Sequence, residues 1–370
     1  ACGAEYSNKT HESFENGFCT SCDAYKMPEK DESNVYQISN AGELYWFMEF
    51  INEGGDNVSA NAVLTKNIVV NESLDGTPRK WFPIGYYYDR DGDKSIENVF
   101  YKGIFDGRGF TISGLYFNNA EQDFVGFFGQ TYEGSLIKNV GVINSSFSGN
   151  YYVGGVCGDN RLGTVENCYS AATVSGINTV GGVCGENVGY GTIENCYYDN
   201  KVYSGDAVGI NNNATITDVL GKTTDEFKSG EVAYLLNDSS SQNVTWYQTL
   251  GTDTYPVLDK THCTVYSVSK CDGTTIYCNE IENMSHIPNY SASGDTITAS
   301  CSGCFETIGT IVISATGKTY DGTAVTASVE NNADGTDYSS SIVYKDSEGN
   351  DVDEGVNAGE YTANLTLTNA

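Results

Sequence analysis

The residues best suited to chemistry are crowded into two places. Eight of the twelve cysteines and all three histidines fall in two short stretches. The first holds Cys2, His11, Cys19 and Cys22, and the second holds His262, Cys263, Cys271, Cys278, His286, Cys301 and Cys304. Both contain the order Cys-His-Cys-x2-Cys: Cys2, His11, Cys19 and Cys22, then Cys278, His286, Cys301 and Cys304. Three soft thiolates and an imidazole suit tetrahedral Zn²⁺, and a complete set occurring twice says more than a CxxC alone. Four protein ligands leave no position for water, so such zinc is structural rather than catalytic. A disulfide framework, usual in exported chains, is the plain alternative, with free thiols a third. Elemental analysis with thiol counting separates them: about two zinc per chain for the metal, none and few free thiols for disulfides.

Other chemistry is sparse. Asp89, Asp91 and Asp93, with Glu97 nearby, could hold Ca²⁺, although the spacing departs from the twelve-residue loop with glycine sixth. In a chain this acidic a solvated turn is the plainer reading of them. No Gly-x-Ser-x-Gly elbow is present, and the histidines are absorbed by the cysteine sets. Carboxylates are abundant, but no pair stands out for glycoside cleavage. Tyr86 to Tyr88, Tyr151–Tyr152 and Tyr197–Tyr198 could line a sugar-binding face. Adjacent tyrosines on a strand point to opposite sides, so at most half of each set would share it.

What positions these groups is a repeat. Val125, Val153, Val180 and Val208 recur at intervals of 28, 27 and 28 residues within Phe124-Val-Gly-Phe-Phe-Gly129, Val153-Gly-Gly-Val-Cys-Gly158, Val180-Gly-Gly-Val-Cys-Gly185 and Val208-Gly-Ile210. A second motif keeps step: Ser135-Leu-Ile-Lys-Asn-Val140, Thr164-Val-Glu-Asn-Cys-Tyr169, Thr192-Ile-Glu-Asn-Cys-Tyr197 and Thr215-Ile-Thr-Asp218. Each unit holds two or three short β-prone runs between Gly or Asn turns, and no helical period. One unit cannot bury its apolar side chains alone; stacked units make one continuous core, here of roughly five coils. The glycine pairs fit corners where a Cβ would collide or φ must be positive. Cys157 stacks on Cys184 and Cys168 on Cys196, as small buried side chains or as bridges.

This pattern resembles the GLUG repeat of bacterial surface and secreted proteins, over roughly residues 35 to 258. The resemblance implies a right-handed parallel β-helix and no catalytic residue. It also implies a lead-in helix at Ile38-Ser-Asn-Ala-Gly-Glu-Leu-Tyr-Trp-Phe47 and a first strand at residues 62–70. Amphipathic spacing of Leu44, Phe47, Met48 and Ile51 predicts that helix over 40–53, stopped by Gly54-Gly55. A second helix is predicted over 223–236, capped by Thr223 or Thr224, with a hairpin at 244–258. The two helical pieces are expected to close the rod ends, whose open strands would otherwise aggregate.

From about Thr307 short alternating strands predict a small β-sandwich. Its Lys318-Thr-Tyr-Asp-Gly-Thr-Ala-Val325 and Asn357-Ala-Gly-Glu-Tyr361 phrases resemble Ig-like repeats of bacterial surface proteins, which serve as spacers. The expected fold class is therefore all-β, with four parts: a Cys/His-rich segment at 1–34, the parallel β-helix with its caps at 35–260, a Cys/His-rich linker at 261–306 and an Ig-like module at 307–370. Cysteine-rich pieces of this kind are similar to those of anaerobic Gram-positive surface proteins.

With 19 Lys and Arg against 49 Asp and Glu, the formal charge of −30 excludes nucleic acid or an anionic membrane as a natural partner. No apolar run is long enough to span a membrane. The chain starts at Ala1-Cys2-Gly3 inside a motif and stops inside a strand pattern, so any export signal or wall anchor is expected beyond it. The leading expectation is an extracellular, cell-surface protein of adhesin or structural type, non-catalytic and monomeric, presenting a rod face to a glycan or protein ligand. The alternatives are a carbohydrate-active enzyme on a β-helix and a purely structural spacer; a groove holding two carboxylates within about 10 Å would favour the enzyme.

Overall fold

The computed structural model describes the chain apart from residues 1–12, 23, 90–95, 243, 258–259, 270–273, 281–287, 302–306, 318–320, 322, 325, 332–337, 354–358 and 370. It divides into two units, Ala1–Tyr266 and Ser267–Ala370.

The first unit is a parallel β-solenoid. Along its first face, strands pair in parallel so that Tyr36, Ala62, Phe105, Ile137, Val165, Ile193 and Ile216 stand in one register column. That makes seven rungs and six turns, against the five coils expected. The intervals are 26, 43, 32, 28, 28 and 23 residues. The central coils are regular and visible as a repeat, whereas the first ones carry excursions, among them the antiparallel pair Tyr87–Asp89 and Ile96–Asn98. A second face stacks Ile68, Ile112, Val142, Ser170, Tyr198 and Gly221. A third stacks Phe128, Cys157, Cys184 and Val208. Phe105, Ile112, Phe128, Ile137, Val142, Cys157, Val165, Cys184 and Ile193 are all fully buried, so like lies on like through the core.

Two polar columns fix the corners. Asn139, Asn167, Asn195 and Asp218 turn the chain from the first face to the second, with φ of 53°, 52°, 47° and 52°. Asn and Asp tolerate this left-handed region better than other side chains. Asn195 Nδ2 donates to Asn167 Oδ1 at 2.8 Å, linking adjacent coils. At the next corner Thr131 Oγ1 donates to Asn160 Oδ1 (2.8 Å), Asn160 Nδ2 to Asn187 Oδ1 (2.9 Å), and Asn187 Nδ2 to Asn211 Oδ1 (3.1 Å). Buried amides are thereby satisfied coil by coil.

One rod end is closed as expected. Helix α1, Ala41–Asn52, is capped by the Asn40 side chain, which accepts from Glu43 N, and it stops before Gly54 at φ 78°. Its Leu44, Phe47, Met48 and Ile51 are buried in the same core as Trp81 and Phe105. The other end departs from expectation. The predicted 223–236 helix is broken into α2 (Thr224–Lys228) and α3 (Glu231–Leu236) by Gly230 at φ 90°. Thr223 and Glu226 form a reciprocal capping box. Phe227, Val232 and Leu236 pack with Trp246 against Tyr169 and Tyr197, which stand on the second face. These helices therefore lie along the side of the rod and do not cover its end. The hairpin is present as paired Tyr247 and Val257, and Tyr169 Oη donates to Pro256 O at 2.8 Å.

The second unit holds two antiparallel sheets. One orders Pro288–Ser293, Thr296–Cys301, Thr307–Ala315 and Ala327–Asn331. The other orders Asp351–Val352, Tyr338–Lys345 and Thr362–Asn369. Leu365 and Leu367 pack on the Ala299–Ile311 core of the first sheet. Where the sequence reading placed a boundary at 306, Thr296–Cys301 pairs directly with Thr307–Ala315, because the alternation of 296–301 is that of a sheet strand.

Candidate functional site

The most distinctive surface of the solenoid begins with its glycines. A Cβ on Gly158 would lie 2.7 Å from Phe124 C and Val125 N, and one on Gly185 would lie 2.5 Å from Tyr152 C. On Gly209 it would lie 2.7 Å from Thr179 C. The last glycine of each Val-Gly-Gly-Val-x-Gly unit thus lets a second layer of backbone rest on the third face. None of these glycines has positive φ. That conformation falls instead to the residues laid over them, Phe124, Tyr152 and Thr179, at 58°, 59° and 60°. Bulky and β-branched side chains rarely adopt it, and such strain clusters at sites of function.

The strain has a geometric result. Left-handed backbone at Tyr152 breaks strand alternation, so Tyr151 and Tyr152 do not point to opposite sides. Their ring centroids are 6.1 Å apart, and the Tyr152 ring stacks on Phe124 at 4.9 Å with planes 5° apart. Tyr151 is 38% exposed, and its N–H donates to Asp123 Oδ1 at 3.1 Å. The other tyrosine sets offer no such surface. Tyr197 is buried under α2 and α3, Tyr198 is buried in the main core, and Tyr86 is buried. The side chains of Tyr87 and Tyr88 are outside the described residues.

Beside the rings runs a polar column. Asp159 and Glu186 are register partners on neighbouring coils, one strand spacing of about 4.8 Å apart. Asp159 Oδ2 accepts from Arg161 Nη2 (3.2 Å), Arg161 Nε (3.3 Å) and Gln130 Nε2 (3.4 Å). Asn212 Nδ2 donates to Glu186 Oε1 at 2.9 Å. Asp159 has no exposed surface, and neither its Oδ1 nor the buried Gln130 Oε1 has a hydrogen-bond partner among the described residues. Burial pushes the Asp159 carboxyl up to about 6; Arg161 opposes this and Glu186 adds to it. The Tyr152 phenol is also raised, first by burial and then by Glu186, Asp159 and Asp123.

The structure treats the expected site residues unevenly. Cys19 and Cys22 come together on a cavity of about 290 Å³ shared with Phe18, Thr20 and Arg79, whose guanidinium lies 3.8 Å from the Phe18 ring centroid. Cys278 and Cys301 are buried in the second unit. Cys2, His11, His286 and Cys304 lie outside the described residues, as do Asp91 and Asp93; Asp89 ends the strand Tyr87–Asp89. The central cysteines are buried thiols with no bridge: Cys168 Sγ contacts Glu166 O at 3.1 Å, Cys196 Sγ contacts Glu194 O at 3.1 Å, and Cys184 Sγ contacts Glu186 O at 3.0 Å. Burial raises the Cys157 and Cys168 thiols well above their ordinary range. The Asp159–Glu186 pair was not singled out by sequence, although both stand two residues after the repeat cysteine.

Stacked coils, corner asparagines and glycine-seated backbone define a β-solenoid repeat protein. The repeat itself is the GLUG motif, which matches residues 149–175 and 176–203. Two central coils of this β-solenoid thus carry the GLUG motif, and proteins with that repeat are generally surface-associated. Among solved structures, one from Bacteroides ovatus named as a putative immunoglobulin A1 protease is similar, at 15% identity over 63% of this chain and 94% of that one, with a TM-score of 0.39. A score that low carries no argument about fold or activity. No curated protein matches the chain. No helix among the described residues is long and apolar enough to cross a membrane.

Proposed function

We propose that the chain is an extracellular, non-catalytic ligand-presenting part of a cell-surface protein, and that its ligand is a glycan held on the Phe124–Tyr152–Tyr151 platform. The observation that carries this reading is the exposed Tyr151 ring and the half-buried Tyr152 ring brought to one side by left-handed backbone. Flat apolar ring faces offer stacking area, while Asp123 and Arg161 near them offer hydrogen bonds. The formal charge of −30 repels polyanions, so the glycan is neutral or amino-bearing.

Affinity electrophoresis of the full chain through a panel of soluble polysaccharides tests this. A neutral or amino-bearing member should retard the protein, and Tyr151→Ala should weaken that retardation about tenfold with the melting temperature unchanged. Retardation by no member, or an undiminished effect in the variant, would sink the reading.

The carbohydrate-active enzyme has one observation in its favour, the adjacent Asp159 and Glu186 with a raised carboxyl. Full burial of Asp159 opposes it, since a general acid must reach the glycosidic oxygen.

A further inference from the structure

The ring series on the strained corner stops one place short. Val125 pairs with Val153 and Val153 with Val180, so Phe124, Tyr152 and Thr179 stand in one column on three successive coils. Their φ values are 58°, 59° and 60°, so their side chains leave the backbone in closely similar directions. One strand spacing of about 4.8 Å separates the coils. The Phe124 and Tyr152 rings keep that step, with centroids 4.9 Å apart and planes 5° apart. The same step taken once more from Tyr152 leads to the place over Thr179, where the chain supplies a methyl and a hydroxyl but no ring. Phe124 thus covers one face of Tyr152, and the other face looks toward Thr179. The layer ends there: Asn178–Gly181 pairs only with Tyr151–Gly154 among the described residues.

Acids border this place. Glu186 shares the coil of Thr179 and is only 8% exposed. Its Oε1 accepts from Asn212, while its Oε2, like Thr179 Oγ1, has no hydrogen-bond partner among the described residues. Of the charged groups acting on the Tyr152 phenol, Glu186 acts most strongly, ahead of Asp159 and Asp123. Arg161 is engaged by Asp159, and neither Glu186 nor Asp123 is in an ion pair among the described residues. The place therefore lacks a ring and a cation.

We propose that it is a subsite for an amino sugar with a free ammonium group, whose ring takes the third position of the Phe124–Tyr152 stack and whose ammonium is held by Glu186. This rests on the glycan reading above and narrows it to the amino-bearing class. A pyranose offers a flat C–H face to an aromatic ring, and an ammonium between a π face and a nearly buried carboxylate gains from both. A neutral sugar would cover Glu186 without giving it a counter-charge, which costs affinity. Thr179 sets the specificity, because its short side chain keeps the third place open and its hydroxyl is available to the sugar.

Isothermal titration of the full chain with β-1,4-linked glucosamine oligomers and with their N-acetylated counterparts is the test, at about pH 6, where the amine is protonated. The free-amine oligomer should bind at least about tenfold more tightly. Thr179→Phe places the chain's own ring in the third position, with a side chain that Phe124 shows to be compatible with this backbone. It should weaken that binding at least about tenfold, whereas Thr179→Ser should retain it. Glu186→Gln should bind the two oligomers alike. Non-specific attraction of a polycation to the net charge of −30 would survive in Thr179→Phe, so undiminished binding by that variant overturns the inference. So does a wild type that fails to prefer the free amine. If a neutral glycan nevertheless binds and Tyr151→Ala weakens it, the glycan reading of the platform stands alone; binding of no glycan overturns both. Circular dichroism of the variants separates a blocked subsite from lost folding.

Discussion

Two corners of the solenoid adopt the same left-handed backbone and fill it differently. At one, Asn139, Asn167 and Asn195 occupy a conformation that asparagine tolerates, and their amides bond from coil to coil. At the other, Phe124, Tyr152 and Thr179 hold nearly the same φ with side chains that disfavour it. A coil can evidently turn without strain, so the strained corner is not required by the turn alone. What it adds is a ring platform over a glycine floor, with a buried carboxyl column beside it. The first corner is architecture; the second has the marks of a site.

Five substitutions test that contrast. The largest effect is expected from Gly185→Ala, whose Cβ would lie 2.5 Å from Tyr152 C and 2.6 Å from Val153 N. Backbone on both sides leaves nothing flexible to yield, so urea unfolding should show a loss of about 3 kcal/mol or more. Asn167→Gly at the relaxed corner should lose under about 1.5 kcal/mol, the worth of one hydrogen bond. Equal losses would erase the distinction.

Next in size is the pH response of the column beside the rings. The folded Asp159 carboxyl, at about 6, lies above its ordinary 3.8, so the folded state holds the proton more tightly. The contribution is therefore full below about pH 4 and is lost as pH rises through about 6. Between those limits the wild type should lose about 3 kcal/mol that Asp159→Asn does not. Parallel pH profiles of the two proteins would show Asp159 to be ordinary.

The smallest effect is a swap between corners. Thr179→Asn should stabilise by about 1 kcal/mol and Asn167→Thr should destabilise by a similar amount, both read from thermal midpoints. If Thr179→Asn is neutral, the second corner is not strained.

The same contrast explains what could be read in the sequence. The period of Val125, Val153 and Val180 announced the coils, and the Asn of Glu-Asn-Cys-Tyr announced the relaxed corner, because identical residues recur wherever coils stack directly. Val208, expected as the next in that series, stands instead on Cys184, because the last coil is shorter. Helix α1 was legible from Leu44, Phe47, Met48 and Ile51. The strained corner was not, since Phe, Tyr and Thr share no side-chain chemistry that signals left-handed backbone. The alternation rule then put Tyr151 and Tyr152 on opposite sides, and the backbone overrode it. Gly230 likewise looked compatible with one helix, whereas at φ 90° it ends one and starts another against the side of the rod.

That sideways turn has a mechanical consequence. The polypeptide leaving the last coil doubles back along the rod and is tied down before it departs. Lys222 holds Glu231, Asp199 accepts from Thr224 and Tyr255, and Tyr169 is bonded to Pro256. Tension applied downstream is therefore delivered to the flank of the fifth and sixth rungs, loading several bonds in parallel, instead of peeling the terminal strand one bond at a time.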